Sequence, residues 1–108
     1  MKFNVLIVDD EKNIRQGLGK ALEMDGHNTL LAEDGQEALE IIHQEEVDLI
    51  IADLRMPRLS GEELLRRVVD SWPTIPVIIL TGHGTIETAV QSMRDGAFDF
   101  LTKPVNLD

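Results

Sequence analysis

Apolar residues along this chain come in two alternating rhythms. Short apolar runs form the centres of the segments 3–8, 29–32, 48–53, 77–80 and 98–102. Runs of that length between turn residues suit strands buried on both faces. Between them lie stretches in which every third or fourth residue is apolar: Ile14, Leu18, Ala21 and Leu22; Ala38, Leu39 and Ile42; Leu64, Leu65, Val68 and Val69; Ile86, Ala89, Val90 and Met93. Each set marks one face of a helix. Strict strand–helix alternation predicts a doubly wound α/β fold of the flavodoxin-like kind, with five parallel strands in the order 2-1-3-4-5. The run at 29–32 is the weakest and belongs at an edge.

Turn residues punctuate this pattern where the elements must end. Asp25-Gly26 closes the first helix and Asp95-Gly96 the fourth, the latter in a left-handed turn. Asp34 and Ser60 each precede a helix with a glutamate three residues on, the signature of a capping box, and Thr85 can cap the fourth helix. Pro57 disfavours helix in the residue before it, so residues 54–59 form a structured loop. Pro76 opens the fourth strand, where a missing N–H does little harm. Residues 105–108 would begin a fifth helix just as the sequence ends. Four helices cover five strands unevenly, so the fifth helix is expected to be truncated, and residues 1–108 to be one domain at the N-terminal end of a longer chain.

Composition narrows the function. A chain of 108 residues makes one domain with a sufficient core, and with no cysteine it has neither disulfides nor a thiolate metal site. Twenty acidic against ten basic residues give a net charge of -10. Such a surface repels nucleic acid, so any contact with DNA must come from another segment. No apolar stretch approaches the ~20 residues of a membrane span, and Met1-Lys2-Phe3 does not open a secretion signal, which makes the cytoplasm the expected location.

Four of the runs end in residues suited to phosphoryl chemistry: Asp9-Asp10, Asp53, Thr81 and Lys103-Pro104. In an open parallel sheet these positions share the carboxyl edge, where ligands bind. Two adjacent carboxylates at a buried strand end call for a neutralising partner, and Mg2+ suits one or two carboxylates plus a phosphate oxygen. Asp53 is the best-placed carboxylate nucleophile, and Lys103 offers a cation to phosphoryl oxygens. Thr81 offers a hydroxyl, and Gly82 beside it leaves room for an approaching donor or water. Taken singly, each has an ordinary role: acids capping the first helix, a turn-forming Asp53, a surface lysine.

Jointly, Asp9-Asp10, Asp53 with Pro57 and Gly61 after it, Thr81-Gly82 and Lys103-Pro104 resemble the receiver domain of a two-component response regulator. That resemblance implies that Asp53 accepts a phosphoryl group from a histidine kinase. It implies that Asp9, Asp10, Asp53 and the backbone carbonyl of Arg55 hold Mg2+, and that Lys103 contacts the phosphoryl group. Thr81 would be the switch hydroxyl and Phe100 the switch aromatic, although core packing alone would also explain Phe100. Arg55 and His83 flank the pocket and would tune access of water. Arg55-Met56-Pro57 and residues 81–90 and 96–100 look most like the nitrogen-regulation type, whose receivers usually precede an ATPase and a DNA-binding domain; partial activation, or coupling of the switch through a homodimer, is also expected. The expected activity is self-phosphorylation and self-dephosphorylation rather than turnover of an external substrate. Two other readings stay open: an interaction domain that is never phosphorylated, and a phosphatase with an aspartyl nucleophile. Against the latter, the residue two after Asp53 is Arg55 and not the acid such enzymes use.

Overall fold

A computed structural model describes residues 1–104. Its elements alternate throughout: β1 (Asn4–Val8), α1 (Lys12–Met24), β2 (Asn28–Ala32), α2 (Gly35–Gln44), β3 (Leu49–Ala52), α3 (Gly61–Ser71), β4 (Val77–Thr81), α4 (Ile86–Arg94) and β5 (Asp99–Thr102). All neighbouring strands are parallel, in the order β2-β1-β3-β4-β5. The expected fifth helix falls outside the described residues.

Side chains alternate across the sheet as the pleat requires. Leu6, Val8, Ile50, Ala52, Val77 and Ile79 pack against Ala38, Leu39 and Ile42 of α2 and Leu64, Leu65 and Val68 of α3. Val5, Ile7 and Leu80 point the other way, onto Leu18 of α1. The central strands are therefore apolar on both faces, which is why they read as unbroken runs.

Several boundaries differ from the sequence pattern. Phe3 lies outside β1 and stacks on His27 with ring centroids 5.5 Å apart. Asp48 precedes β3, its carboxylate accepting the Asn4 amide at 2.8 Å. Neither expected capping box at Asp34 or Ser60 is reciprocal. Both side chains accept the amide three residues on, but Glu37 reaches back to the Glu33 amide, and Glu63 binds Arg66 and Arg67 instead. Among the described residues, Thr85 alone forms a full box, with Thr88.

The largest correction concerns α4. Ile86, Val90 and Met93, expected to face the core, are 84%, 44% and 47% exposed. Of the expected stripe Ala89 alone turns inward; it is half-buried beside half-buried Thr88 and buried Ser92, while Thr85 at the N-cap is exposed. Periodicity favoured the more apolar stripe, whereas the helix approaches the body of the domain through its smaller side chains.

Candidate functional site

The register places the chemistry. Val8 pairs with Ala52, so the next residues, Asp9 and Asp53, stand side by side at the carboxyl ends of β1 and β3, each only 3% exposed. Thr81 pairs with Thr102 at the end of β5, and the Lys103 amide bonds the Thr81 carbonyl at 3.0 Å. The Lys103 stem then runs back over the sheet edge. Its Nζ sits 2.7 Å from Asp9 Oδ2 and 2.8 Å from Asp53 Oδ2, with Glu11 Oε1 at 3.6 Å. A side chain 13% exposed and bridging two buried carboxylates is no ordinary surface lysine. The Lys103-Pro104 peptide is cis.

Asp10 is exposed, yet oxygens of Asp9, Asp10 and Asp53 all lie within 4.8 Å of one another. These acids do not cap α1, whose N-cap is Glu11 and has no side-chain cap bond. The remaining oxygens of the buried pair take backbone donors: Asp9 Oδ1 accepts the Glu11 amide at 2.9 Å, and Asp53 Oδ1 accepts the Arg55 amide at 3.4 Å.

Electrostatics separate the two buried acids. Burial dominates at Asp9 and raises its pKa above the usual carboxylate value, despite Lys103 and the Glu11 amide. Burial acts on Asp53 as well, but there the Lys103 ammonium, the Thr81 hydroxyl and the Arg55 amide outweigh it and hold the carboxyl below that value. Burial likewise opposes the charge on Lys103, and the two carboxylates overcome it, lifting the ammonium above the normal lysine range. One ammonium thus faces three clustered carboxylates, of which Asp9 is incompletely compensated. An all-oxygen set with surplus negative charge and one exposed member suits a small, hard divalent cation such as Mg2+.

The other expected residues take distinct places. Thr81 is fully buried, and its Oγ1 accepts the His83 amide at 3.1 Å, so this hydroxyl already has a partner. Phe100 is half-buried against the main core, and a Cβ built on Gly84 would come within 3.0 Å of its ring. Arg55 and His83 are exposed, and both reach the site through their backbone amides. Gly61 contributes through what it lacks. A Cβ there would lie 1.8 Å from the Asp53 carbonyl oxygen, so only glycine lets α3 start this close to the acid.

Arg15 was not singled out by the sequence pattern. Its Nη1 donates to the Asp9 carbonyl at 2.8 Å and its Nη2 lies 3.6 Å from Glu33, which ties the β1–α1 turn to the end of β2. An arginine next to the apolar stripe of α1 gives no sign in sequence that it turns toward the sheet edge.

This constellation on a 2-1-3-4-5 sheet coincides with a family match, the response regulator receiver domain, over residues 5–108. The chain belongs to that family. It is 43% identical over 105 residues to the transcriptional regulatory protein GlrR of Escherichia coli (strain K12), covering 97% of this chain and 24% of that protein. It is 37% identical over 107 residues to the DNA-binding transcriptional regulator NtrC of Proteus hauseri, covering 99% of this chain and 23% of that protein. Among solved structures, the beryllofluoride-activated NtrC4 receiver domain dimer superposes with a TM-score of 0.90 at 35% identity, covering 96% of this chain and 86% of that one. The nitrogen-regulation likeness read from the sequence therefore holds, and the chain spans about a quarter of the length of these curated relatives.

Proposed function

We propose that this domain accepts a phosphoryl group from a histidine kinase on Asp53 and passes the change to an output domain that regulates transcription. The observation that supports this most is the Lys103 bridge between Asp9 and Asp53, at 2.7 and 2.8 Å. It places a fixed cation where a phosphoryl group on Asp53 would present its oxygens. An Asp53 oxygen attacks phosphorus as the N–P bond of a phosphohistidine protonated on its other ring nitrogen breaks, and neutral imidazole leaves. Lys103 then exchanges part of its bond to Asp53 for the incoming phosphoryl oxygens, and catalysis is mainly positioning and charge stabilisation.

Asp9, Asp10, Asp53 and the Arg55 carbonyl would hold Mg2+. When bound, that ion supplies charge neutralisation for the carboxylates and the phosphoryl oxygens.

The phosphoryl group adds about -1.5 to -2 charges and three acceptor oxygens. Thr81 Oγ1 accepts the His83 amide and turns its own proton toward Asp53, so it can follow that acceptor outward onto the oxygens a phosphoryl group adds. That movement carries the loop from Gly82 to Gly84 and alters the space beside the Phe100 ring, biasing α4 and β5 toward a second arrangement. Moving a two-state equilibrium from 1:99 to 99:1 requires about 5.5 kcal/mol, more than one or two hydrogen bonds supply, so coupling through a homodimer would sharpen the response.

Residues 1–108 are read as the receiver portion of a longer protein acting in the cytoplasm. Among the described residues no helix is long and apolar enough to cross a membrane. An ATPase and a DNA-binding domain are the proposed output, with DNA contact left to the latter.

Incubation with acetyl phosphate and Mg2+ tests the reading. Wild type should gain one acid-stable, base-labile phosphoryl group and Asp53→Asn none. Labelling that persists in Asp53→Asn removes Asp53 from its role, and absence of labelling in wild type leaves the unphosphorylated interaction domain. Steady turnover of a phosphomonoester would support the phosphatase.

A further inference from the structure

A third buried acid lies at this sheet edge, outside the Lys103 system. Asp34, 1% exposed, follows β2 and caps α2, its Oδ1 accepting the Glu37 amide at 2.9 Å. Its Oδ2 receives the Arg58 guanidinium, with Nε at 2.7 Å and Nη2 also bonded. Burial opposes the charge on Asp34, but the Glu37 amide and Arg58 outweigh it and hold the carboxyl below the usual range.

Arg58 belongs to the loop that leaves Asp53, and its backbone is unusual. Its φ is 66°, in the left-handed region that a side chain bearing a Cβ rarely occupies. The next residue presses on α2. The Leu59 carbonyl accepts the Gly35 amide at 3.1 Å, and a Cβ on Gly35 would lie 2.6 Å from that oxygen. Downstream, the Gly61 amide bonds the Leu54 carbonyl at 2.9 Å. The loop is therefore pinned at its far end by Gly61 and in its middle by Asp34. Arg55 lies between these anchors and Asp53.

We propose that the Arg58–Asp34 ion pair positions the β3–α3 loop on the start of α2, so that the backbone of Arg55 is set for the metal and for Asp53. Arg58 touches neither group, so it is a positioning residue. Its guanidinium offsets a left-handed backbone that the sequence alone would not choose. The inference rests on the proposed function, because it assigns the Arg55 carbonyl to Mg2+.

Three variants separate the contributions. Arg58→Gly removes the guanidinium and tolerates positive φ, Arg58→Lys keeps a charge without the fork, and Asp34→Asn keeps an oxygen to cap α2 while losing the charge pair. Mg2+ binding is measured by calorimetry on folded, unphosphorylated protein, alongside the Mg2+ dependence of phosphorylation by acetyl phosphate. Supporting groups of metal ligands typically change affinity by 10–100-fold, and for this more remote pair about tenfold weaker Mg2+ binding is expected in Arg58→Gly and Asp34→Asn. Arg58→Lys should recover part of that loss, and the phosphorylation rate at saturating Mg2+ should stay near wild type. The double variant should bind Mg2+ no worse than the weaker single one, since both remove one interaction. Affinity unchanged in both single variants, or additive losses in the double variant, would overturn the positioning role. Wild type that binds Mg2+ but is never phosphorylated would instead overturn the proposed function, with the calorimetric comparison still readable.

Discussion

Replacing Lys103 with methionine keeps most of the aliphatic stem and deletes only the ammonium between two buried carboxylates. Asp9 and Asp53 are each 3% exposed and have oxygens within 4.8 Å of each other. At an effective dielectric near 20, two such charges repel by at least about 3.5 kcal/mol. The fold can escape by protonating one of them. At about 1.4 kcal/mol per pH unit, that costs about 4 kcal/mol at pH 7 for a group with an ordinary pKa near 3.9. The penalty for Lys103→Met is thus about 3–4 kcal/mol at pH 7, in line with other broken buried pairs. Protonation becomes easier as pH falls, so at pH 5 the deficit should shrink to about 1.5 kcal/mol. Wild type should change less over that interval, because Lys103 keeps Asp53 ionised below its usual range and partly offsets the burial that raises Asp9. Urea unfolding followed by circular dichroism, without metal and at both pH values, measures the difference. A variant as stable as wild type at pH 7, or a deficit that does not shrink at pH 5, would refute the electrostatic reasoning. Saturating Mg2+ at pH 7 should restore part of the lost stability by replacing the missing cation.

Three further outcomes are expected. Gly61→Ala forces a methyl group to within 1.8 Å of the Asp53 carbonyl oxygen unless the loop moves, so it should cost roughly 1–3 kcal/mol in urea unfolding and slow phosphorylation; wild-type values for both would exclude that close approach. Asp34 has a folded pKa below its ordinary one, so its contribution is complete above pH ~3.9 and is lost as pH falls through the folded value. The stability gap between wild type and Asp34→Asn should accordingly narrow below pH ~4, and a gap independent of pH would contradict the ion pair. Arg55→Ala and His83→Ala open the exposed rim of the pocket to water, so loss of the phosphoryl group, followed by phosphate release, should speed up severalfold. Decay at the wild-type rate in both variants rejects a tuning role for these residues.

The sheet and its strand order were legible because each central strand is buried on both faces, so the apolar runs were unambiguous and alternated with helical stripes. The strand-end residues followed from the same logic, since parallel topology alone brings Asp9, Asp53, Thr81 and Lys103 to one edge. Helix α4 was harder to read. Hydrophobicity pointed to Ile86, Ala89, Val90 and Met93, whereas packing kept only Ala89 of these inward and turned Thr88 and Ser92 in beside it. Capping glutamates misled for a related reason: Glu63 had the choice of a backbone amide or two arginines one turn on, and a sequence motif does not weigh that competition. Arg15 and Arg58 could not be found from pattern at all. Arg15 reaches a backbone carbonyl and Arg58 an acid 24 residues away, and both contacts exist only once neighbouring loops converge.

The most direct measurement of the central claim is to locate the modified residue. Protein exposed to acetyl phosphate and Mg2+, reduced with borohydride and digested, should yield a single altered peptide by mass spectrometry, with Asp53 converted to homoserine. Reduction at another carboxylate, or unmodified Asp53 in protein whose intact mass includes a phosphoryl group, would contradict the assignment.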